Sequence, residues 1–290
     1  MNYDIIVLGH FSKDKLVIRG IEKDAPGGAV YYSGLALSKM NIRSGIITLL
    51  NKDDYYQLDV LSSNGVDVFA YESELTSEIR NTYVTDDLDK RICEPIAFAG
   101  GFTEENIPNI ETRVFHIGSL RVGEVSLELV NYITRRFPKV SLDLQGFLRI
   151  KEGNEFKFAD WPEKIDGLRQ IHTVKADSVE SEVITGEKDI AKATQVIASW
   201  GPSEVVITHA EGLLVYADGE VFEAPFVIRS LDGRTGRGDT CISAYLAGRL
   251  KSSPEDSCKF AAAVTSLKLE KEGPFDGTYQ DILEKLAKDY

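Results

Sequence analysis

The run Leu231-Asp-Gly-Arg-Thr-Gly-Arg-Gly-Asp-Thr240 is the stretch whose residue types and spacing carry the most chemistry. Gly236 and Gly238 permit a tight turn and close backbone approach, and the segment CISAYLAGRL that follows reads as a helix whose opening N–H groups lack intrahelical acceptors. Such a turn is a pocket for an anion. The helix dipole adds to the attraction, so a phosphate or a developing negative charge is stabilised there. Asp239 is an acid set inside that pocket. Its simplest role is to complement the dipole, worth about 0.3–1 kcal/mol; the other is catalysis. Arg237-Gly238-Asp239 also matches an extracellular adhesion tripeptide, set aside because the chain reads as cytoplasmic on the grounds given below.

Three further groups of residues stand out. In Lys175-Ala-Asp-Ser-Val-Glu180, the i, i+3 spacing puts Asp177 and Glu180 on one helical face, and D-x-x-E ahead of Val183 and Ile184 is by itself a capping box. Asp14, just past the first strand, reads as a turn acid, and an ionised carboxylate that accepts two hydroxyls also recognises a polyol well. His10, His116, His172 and His209 lack metal-ligand spacing and read as structural.

The elements that must position these residues alternate. Short β-branched strands are predicted over 4–9, 44–50, 113–117, 139–143, 171–175 and 203–208. Helical patterns fall near 28–40, 52–64, 124–136, 178–185, 188–199, 239–250, 254–270 and 279–288. This is the pattern of a three-layer α/β/α protein with a mostly parallel sheet. Two segments break it: KLVIR at 15–19, and 66–97, where VDVFAY, IRNTYVT and KRICEPIA follow one another without a helix. Successive strands without crossovers pair antiparallel, so a small separate sheet drawn from about 15–25 and 66–100 is expected, a candidate lid. The other reading is an extended edge of the main sheet.

At 290 residues, with 43% hydrophobic and 27% charged residues, the chain has apolar material for one large domain over 1–290. Its net charge of −13 repels phosphate backbones and anionic lipid, and no Lys/Arg block is segregated, so neither nucleic acid nor a membrane is an expected partner. Three scattered cysteines without a CxxC suggest neither a disulfide framework nor a zinc site, and a reducing cytoplasm is the simplest home. The apolar run in MNYDIIVLGH is too short for a signal peptide or a span. Leu8-Gly9-His10-Phe11-Ser12 lacks the GxGxxG turn of a dinucleotide-binding oxidoreductase.

Gly27-Gly28-Ala29, followed by VYYSGLALSKMNIRSGIITLLNKDD, together with the Gly236-Arg237-Gly238-Asp239 turn near the carboxyl end, resembles the ribokinase-like (PfkB) carbohydrate kinase family. The family turn is Asp-Thr-x-Gly-Ala-Gly-Asp; here the glycines and final acid match, while Gly233-Arg234 and Arg237 depart from it. The resemblance implies a ribokinase-like fold with a β lid and transfer of the γ-phosphoryl of ATP, with Mg²⁺, to a hydroxyl of a small sugar or polyol. It implies Asp239 as general base, with the N–H groups of Gly236, Arg237 and Gly238 holding the phosphate charge. It implies Asp177 and Thr208 with Gly212 on the ATP side, although the Thr208–Gly212 turn is one residue short of the family's and has Ala210 for a glycine. Glu180 is implied on Mg²⁺ through water or phosphate, and a hard cation accepts the oxygen of Asp177 where the family has Asn.

On the acceptor side it implies Asp14, Gly27 and Gly28. Ser141-Leu-Asp143-Leu-Gln145-Gly-Phe-Leu-Arg149 is similar to a strand-end segment of the inositol kinase-like branch, which implies Asp143, Gln145 and Arg149 around a cyclitol such as myo-inositol. A homodimer through the lid follows from the same resemblance, which leaves a monovalent cation requirement open. The alternatives are a nucleoside kinase of the same family and a non-catalytic sugar- or nucleotide-binding module.

Overall fold

Side-chain alternation along β1 (Asn2–Leu8) decides the architecture. Ile5 and Val7 enter one apolar cluster, whereas Ile6 and Leu8 enter another. A strand apolar on both faces has to be covered on both, which is the condition of a parallel sheet between two helical layers. The computed structural model, which describes residues 2–83 and 91–290, meets that condition.

The main sheet has nine strands in the order β15 (Glu220–Pro225), β14 (Gly212–Ala217), β13 (Glu204–Thr208), β12 (Thr173–Asp177), β9 (Val140–Asp143), β8 (Glu111–Ile117), β1, β4 (Ser44–Leu50) and β5 (Asp67–Glu72). Pairing is parallel from β13 to β5, and the β13–β14–β15 edge is antiparallel. One face lies under α1 (Ala29–Lys39), α8 (Arg237–Arg249), α9 (Pro254–Leu269) and α10 (Tyr279–Asp289). The other lies under α3 (Leu127–Arg136), α6 (Ser178–Thr185) and α7 (Ile190–Ser199). Residues 240–247 of α8 are buried without a break, because α1 and α9 flank that helix above the sheet.

The expected small sheet exists, in the order β3 (Ile21–Gly27), β2 (Ser12–Ile18), β6 (Ser77–Tyr83), β7 (Arg91–Ala97). Two details differ from the sequence reading. Residues 67–72 belong to the main sheet, paired parallel with β4 (Ile46 with Val68), because the helical segment 52–63 supplies the crossover that turns the chain back. Strands β2 and β6 pair in parallel, since the chain passes through the main body between them. The part of the expected lid at 84–90 lies outside the described residues.

Two hairpins went unforeseen: β10 (Arg149–Glu152) with β11 (Glu155–Phe158), and β14 with β15. The second turns on Asp218-Gly219, both at positive φ, a dipeptide suited to a two-residue hairpin loop. No helix among the described residues is long and apolar enough to cross a membrane.

Candidate active site

Strands β13, β12, β9, β8 and β1 lie side by side and point the same way, so their carboxyl ends form one edge. Thr208, Asp177 and Asp143 are the last residues of β13, β12 and β9. In open α/β sheets this edge is where ligands bind. A cleft of about 110 Å³ opens there, walled on one side by the small sheet and on the other by the turn ahead of α8.

At the small-sheet end stand Asp14, Asn81, Arg91, Gln145 and Arg149. Asp14 is carried by β2 rather than by a turn and is buried; desolvation pushes its carboxyl up to about 6, while the Ser12 hydroxyl and the guanidiniums of Arg91 and Arg149 oppose the shift. Gly27 packs on this acid, since a Cβ there would come within 2.5 Å of Asp14 Oδ2. Gly28, at φ 88, could not carry a side chain either: a Cβ would sit 2.1 Å from the His10 carbonyl oxygen. Arg149 lies with its guanidinium 4.1 Å from the ring centroid of Phe156. The planar donors of buried Arg149 and half-buried Arg91, with the buried Asp14 carboxylate, suit a ligand carrying several hydroxyls.

At the other end, Gly236 caps α8 in the left-handed region at φ 81, and the turn aims the start of the helix into the cleft. The Arg237 N–H is given to the Arg234 carbonyl at 3.1 Å, which corrects the expectation that it faces an anion. The N–H groups of Gly236 and Gly238 have no acceptor among the described residues. Asp239 lines the cleft, and its carboxyl is pushed up to about 6 by burial, helped by the charge of Asp143 and opposed by Lys175. Ser33 donates to its backbone carbonyl at 3.4 Å and ties α1 to α8.

Between the two ends lies a buried ionic group. Lys175 Nζ is 3.0 Å from Asp143 Oδ2 and 3.7 Å from Glu180 Oε2. Against its own desolvation, the charges of Asp143 and Glu180 hold Lys175 protonated. Glu180 accepts the Asp177 N–H at 2.7 Å while Asp177 Oδ1 accepts the Glu180 N–H at 2.8 Å, the capping box expected from the spacing alone. Burial, then the charge of Asp177, raises the Glu180 carboxyl above its usual range, and the Lys175 ammonium opposes the shift.

Of the residues singled out in the sequence, Asp14, Gly28, Asp143, Gln145, Arg149, Asp177, Thr208, Gly236, Arg237, Gly238 and Asp239 all line this one cleft. Glu180 stands behind its wall, 1% exposed. Gly212 is away from it: it opens β14, where the Ala224 carbonyl 2.5 Å from a Cβ position explains the glycine. Lys175, Tyr32, Asn81 and Arg91 line the cleft without having been singled out. The signal for Lys175 was a lysine closing an apolar strand, where a charge would be buried and need a partner.

With this geometry, similarity to known proteins becomes informative. The model of the pfkB family carbohydrate kinases matches residues 159–279. A cytidine kinase of Thermococcus kodakarensis is 28% identical over 272 residues, which covers 88% of this chain and 91% of that protein. A pyrophosphate-dependent kinase of the ribokinase family, solved with a pyrophosphate analog and myo-inositol, is 36% identical, covers 97% of this chain and 99% of its own, and superposes with a TM-score of 0.90. Arabidopsis thaliana ribokinase, solved with ribose and ATP, shares the fold at a TM-score of 0.77 and 16% identity over 99% of both chains. By fold, by site and by these relatives, the chain belongs to the ribokinase (PfkB) family of sugar and nucleoside kinases.

Proposed function

We propose that this kinase phosphorylates one hydroxyl of a small cyclitol such as myo-inositol, that Asp239 is the general base, and that the donor is a compact polyphosphate, pyrophosphate. The observation that carries the reading is the half-buried Asp239, set between a polar, hydroxyl-binding end and an N–H-lined turn of a single cleft. The donor end is lined by Lys175, Arg234, Arg237 and the turn backbone, a cationic, N–H-rich surface that suits a compact phosphate donor. The 36% identical relative is pyrophosphate-dependent, which supports the same donor. ATP, implied by the sequence resemblance, is the competing donor.

In the reaction Asp239 takes the acceptor proton, the alkoxide oxygen bonds to the terminal phosphorus, and the bridging P–O bond breaks to release orthophosphate. The Gly236 and Gly238 N–H groups and the Arg237 side chain stabilise charge on the transferring group. Among the described residues no three carboxylates cluster as a preformed metal site; magnesium would be held mainly by the donor phosphates, with Asp177, which faces the cleft with one oxygen outside its cap, as the carboxylate nearest to hand. When bound, it would neutralise the charge of the donor phosphates. Asp14, Gln145 and Arg149 orient the acceptor.

A two-way screen tests this, with pyrophosphate and ATP against inositols, pentoses, hexoses and nucleosides, read as phosphorylated product. Pyrophosphate with myo-inositol is expected to lead. Turnover confined to ATP with a nucleoside would replace this reading by the nucleoside-kinase one, and no product from any pair would leave a binding module.

A further inference from the structure

Beneath the turn that leads to Asp239 lies a lysine that no step above uses. Lys268, near the end of α9, is 1% exposed, and its ammonium donates to the Gly233 carbonyl. No carboxylate pairs with it among the described residues. An unpaired buried charge is costly, so its retention asks for a reason. The surroundings supply one. The backbone N–H groups of Asp232 and Gly233 both donate to the Leu269 carbonyl at 3.0 Å, so the loop is fastened to α9 through backbone and side chain together. A Cβ on Gly233 would lie 1.6 Å from the Lys271 carbonyl oxygen, so that glycine is what lets the loop sit on the helix end. Lys268 Nζ is also 6.0 Å from the ring centroid of Tyr32, the ring against which Gly236 packs.

We propose that Lys268 is a fixed internal cation that positions the anion-binding turn, so that the ammonium does from behind the loop what a free monovalent cation held by loop carbonyls would otherwise do. The chain then needs no added monovalent cation, and the charge of Lys268 is complemented when the donor anion enters the turn in front of it. Burial pushes its ammonium down to about 8, with the charge of Asp239 acting the other way, as expected of a lysine that relies on a carbonyl and a distant carboxylate. Lys268 is a positioning residue, since it touches neither substrate. The inference rests on the reading of the turn as the donor site.

The test compares tetramethylammonium chloride with potassium chloride and methylammonium chloride, using pyrophosphate and myo-inositol for turnover and melting temperature without substrates. Wild-type turnover is expected to change by less than about twofold between salts, with no melting shift specific to potassium. Lys268→Ala should lose about 100-fold in kcat with little change in the acceptor KM, and regain at least about 10-fold in potassium or methylammonium. Lys268→Met, which fills the space, should lose activity and not regain it.

Activation of the wild type by potassium of about 10-fold or more, Lys268→Met at wild-type turnover, or a folded Lys268→Ala with no recovery would each overturn the proposal. Should the variants fail to fold, the wild-type salt comparison decides it. If the wild type transfers no phosphoryl group at all, the functional reading falls instead. The melting arm still decides this inference, because only Lys268→Ala should gain stability from potassium.

Discussion

The ring of Tyr32 lies against the bare Cα of Gly236, so close that a Cβ on that glycine would fall 2.2 Å from Tyr32 Cδ1. Gly236 also holds φ at 81, a conformation that costs an L side chain about 1–3 kcal/mol. Gly236→Ala therefore has two faults, a clash and a strained backbone, both at the residue whose N–H faces the cleft. Turnover should drop about 100-fold or more, with a measurable fall in melting temperature. Adding Tyr32→Ala relieves the clash and not the strain, so stability should recover in part while turnover stays low. Near-normal kinetics for Gly236→Ala would show that the turn does not hold the donor.

Asp14 gives a stability prediction with a definite sign. Its folded pKa of about 6 is above the ordinary carboxylate value, so the fold favours the protonated form and the charge costs stability at neutral pH. Asp14→Asn removes the charge and keeps the shape. It should raise the melting temperature at pH 7.5, by up to about 3 kcal/mol in stability, and the gain should fade as pH falls through 6 and vanish near 4. Acceptor turnover should collapse in the same variant. Equal melting curves for both proteins at pH 7.5 would mean that Arg91 and Arg149 already neutralise the acid.

How much of this was legible in the sequence depends on where a residue sits relative to its own element. Asp143, Asp177 and Thr208 each close a short apolar run, and a polar residue at the carboxyl end of a parallel strand lies at the binding edge by topology alone. Asn81 and Arg91 escaped notice because they reach the cleft from the small sheet, whose pairing no local pattern encodes. Residues 67–72 were assigned to the wrong sheet although the helical segment at 52–64 was recognised: that segment is the crossover that makes β5 parallel to β4. Glu180 was legible in two ways, and its geometry is that of the cap.

That geometry separates the two carboxylates of the pair. Glu180→Gln keeps an acceptor for the Asp177 N–H but leaves Lys175 with Asp143 as its nearest partner. The expected result is a change in melting temperature with the magnesium dependence of turnover close to that of the wild type. Asp177→Asn, which alters the oxygen that faces the cleft, should shift the magnesium requirement by about 10-fold. If instead Glu180→Gln raised the magnesium requirement and left stability alone, Glu180 would be the residue that meets the metal.

The small sheet makes a prediction with an internal control. If it closes over the acceptor, amide exchange in 12–18, 77–83 and 91–97 should slow when the acceptor binds, because closure excludes water from the site. Strand β5, at 67–72, belongs to the main sheet and should not respond. Uniform exchange with and without acceptor would remove the lid role, and protection of 67–72 to the same degree would mean general stabilisation rather than closure.

Asp239 is the residue on which the proposed chemistry turns. It is half-buried and lines the same cleft as Gly236 and Gly238, and desolvation with the charge of Asp143 raises its carboxyl to about 6. A base so placed is ionised at neutral pH yet basic enough to take a proton as the alkoxide forms. For a carboxyl whose pKa is raised, the reactive form exists above about 6 and is lost as pH falls through that value, so kcat should decline about tenfold per unit below it. Asp239→Asn keeps the size and most of the hydrogen bonding but cannot accept the proton. It should lower kcat at saturating acceptor by at least about 100-fold, abolish the acid limb near pH 6, and retain or tighten pyrophosphate binding because a negative charge beside the donor is gone. The fold should survive, since a partly desolvated charge has been removed rather than created. Steady-state kinetics from pH 5 to 9 with calorimetric titration of pyrophosphate checks all three; a variant that turned over at the wild-type rate with the acid limb intact would take the base away from Asp239 and return the turn to a binding role.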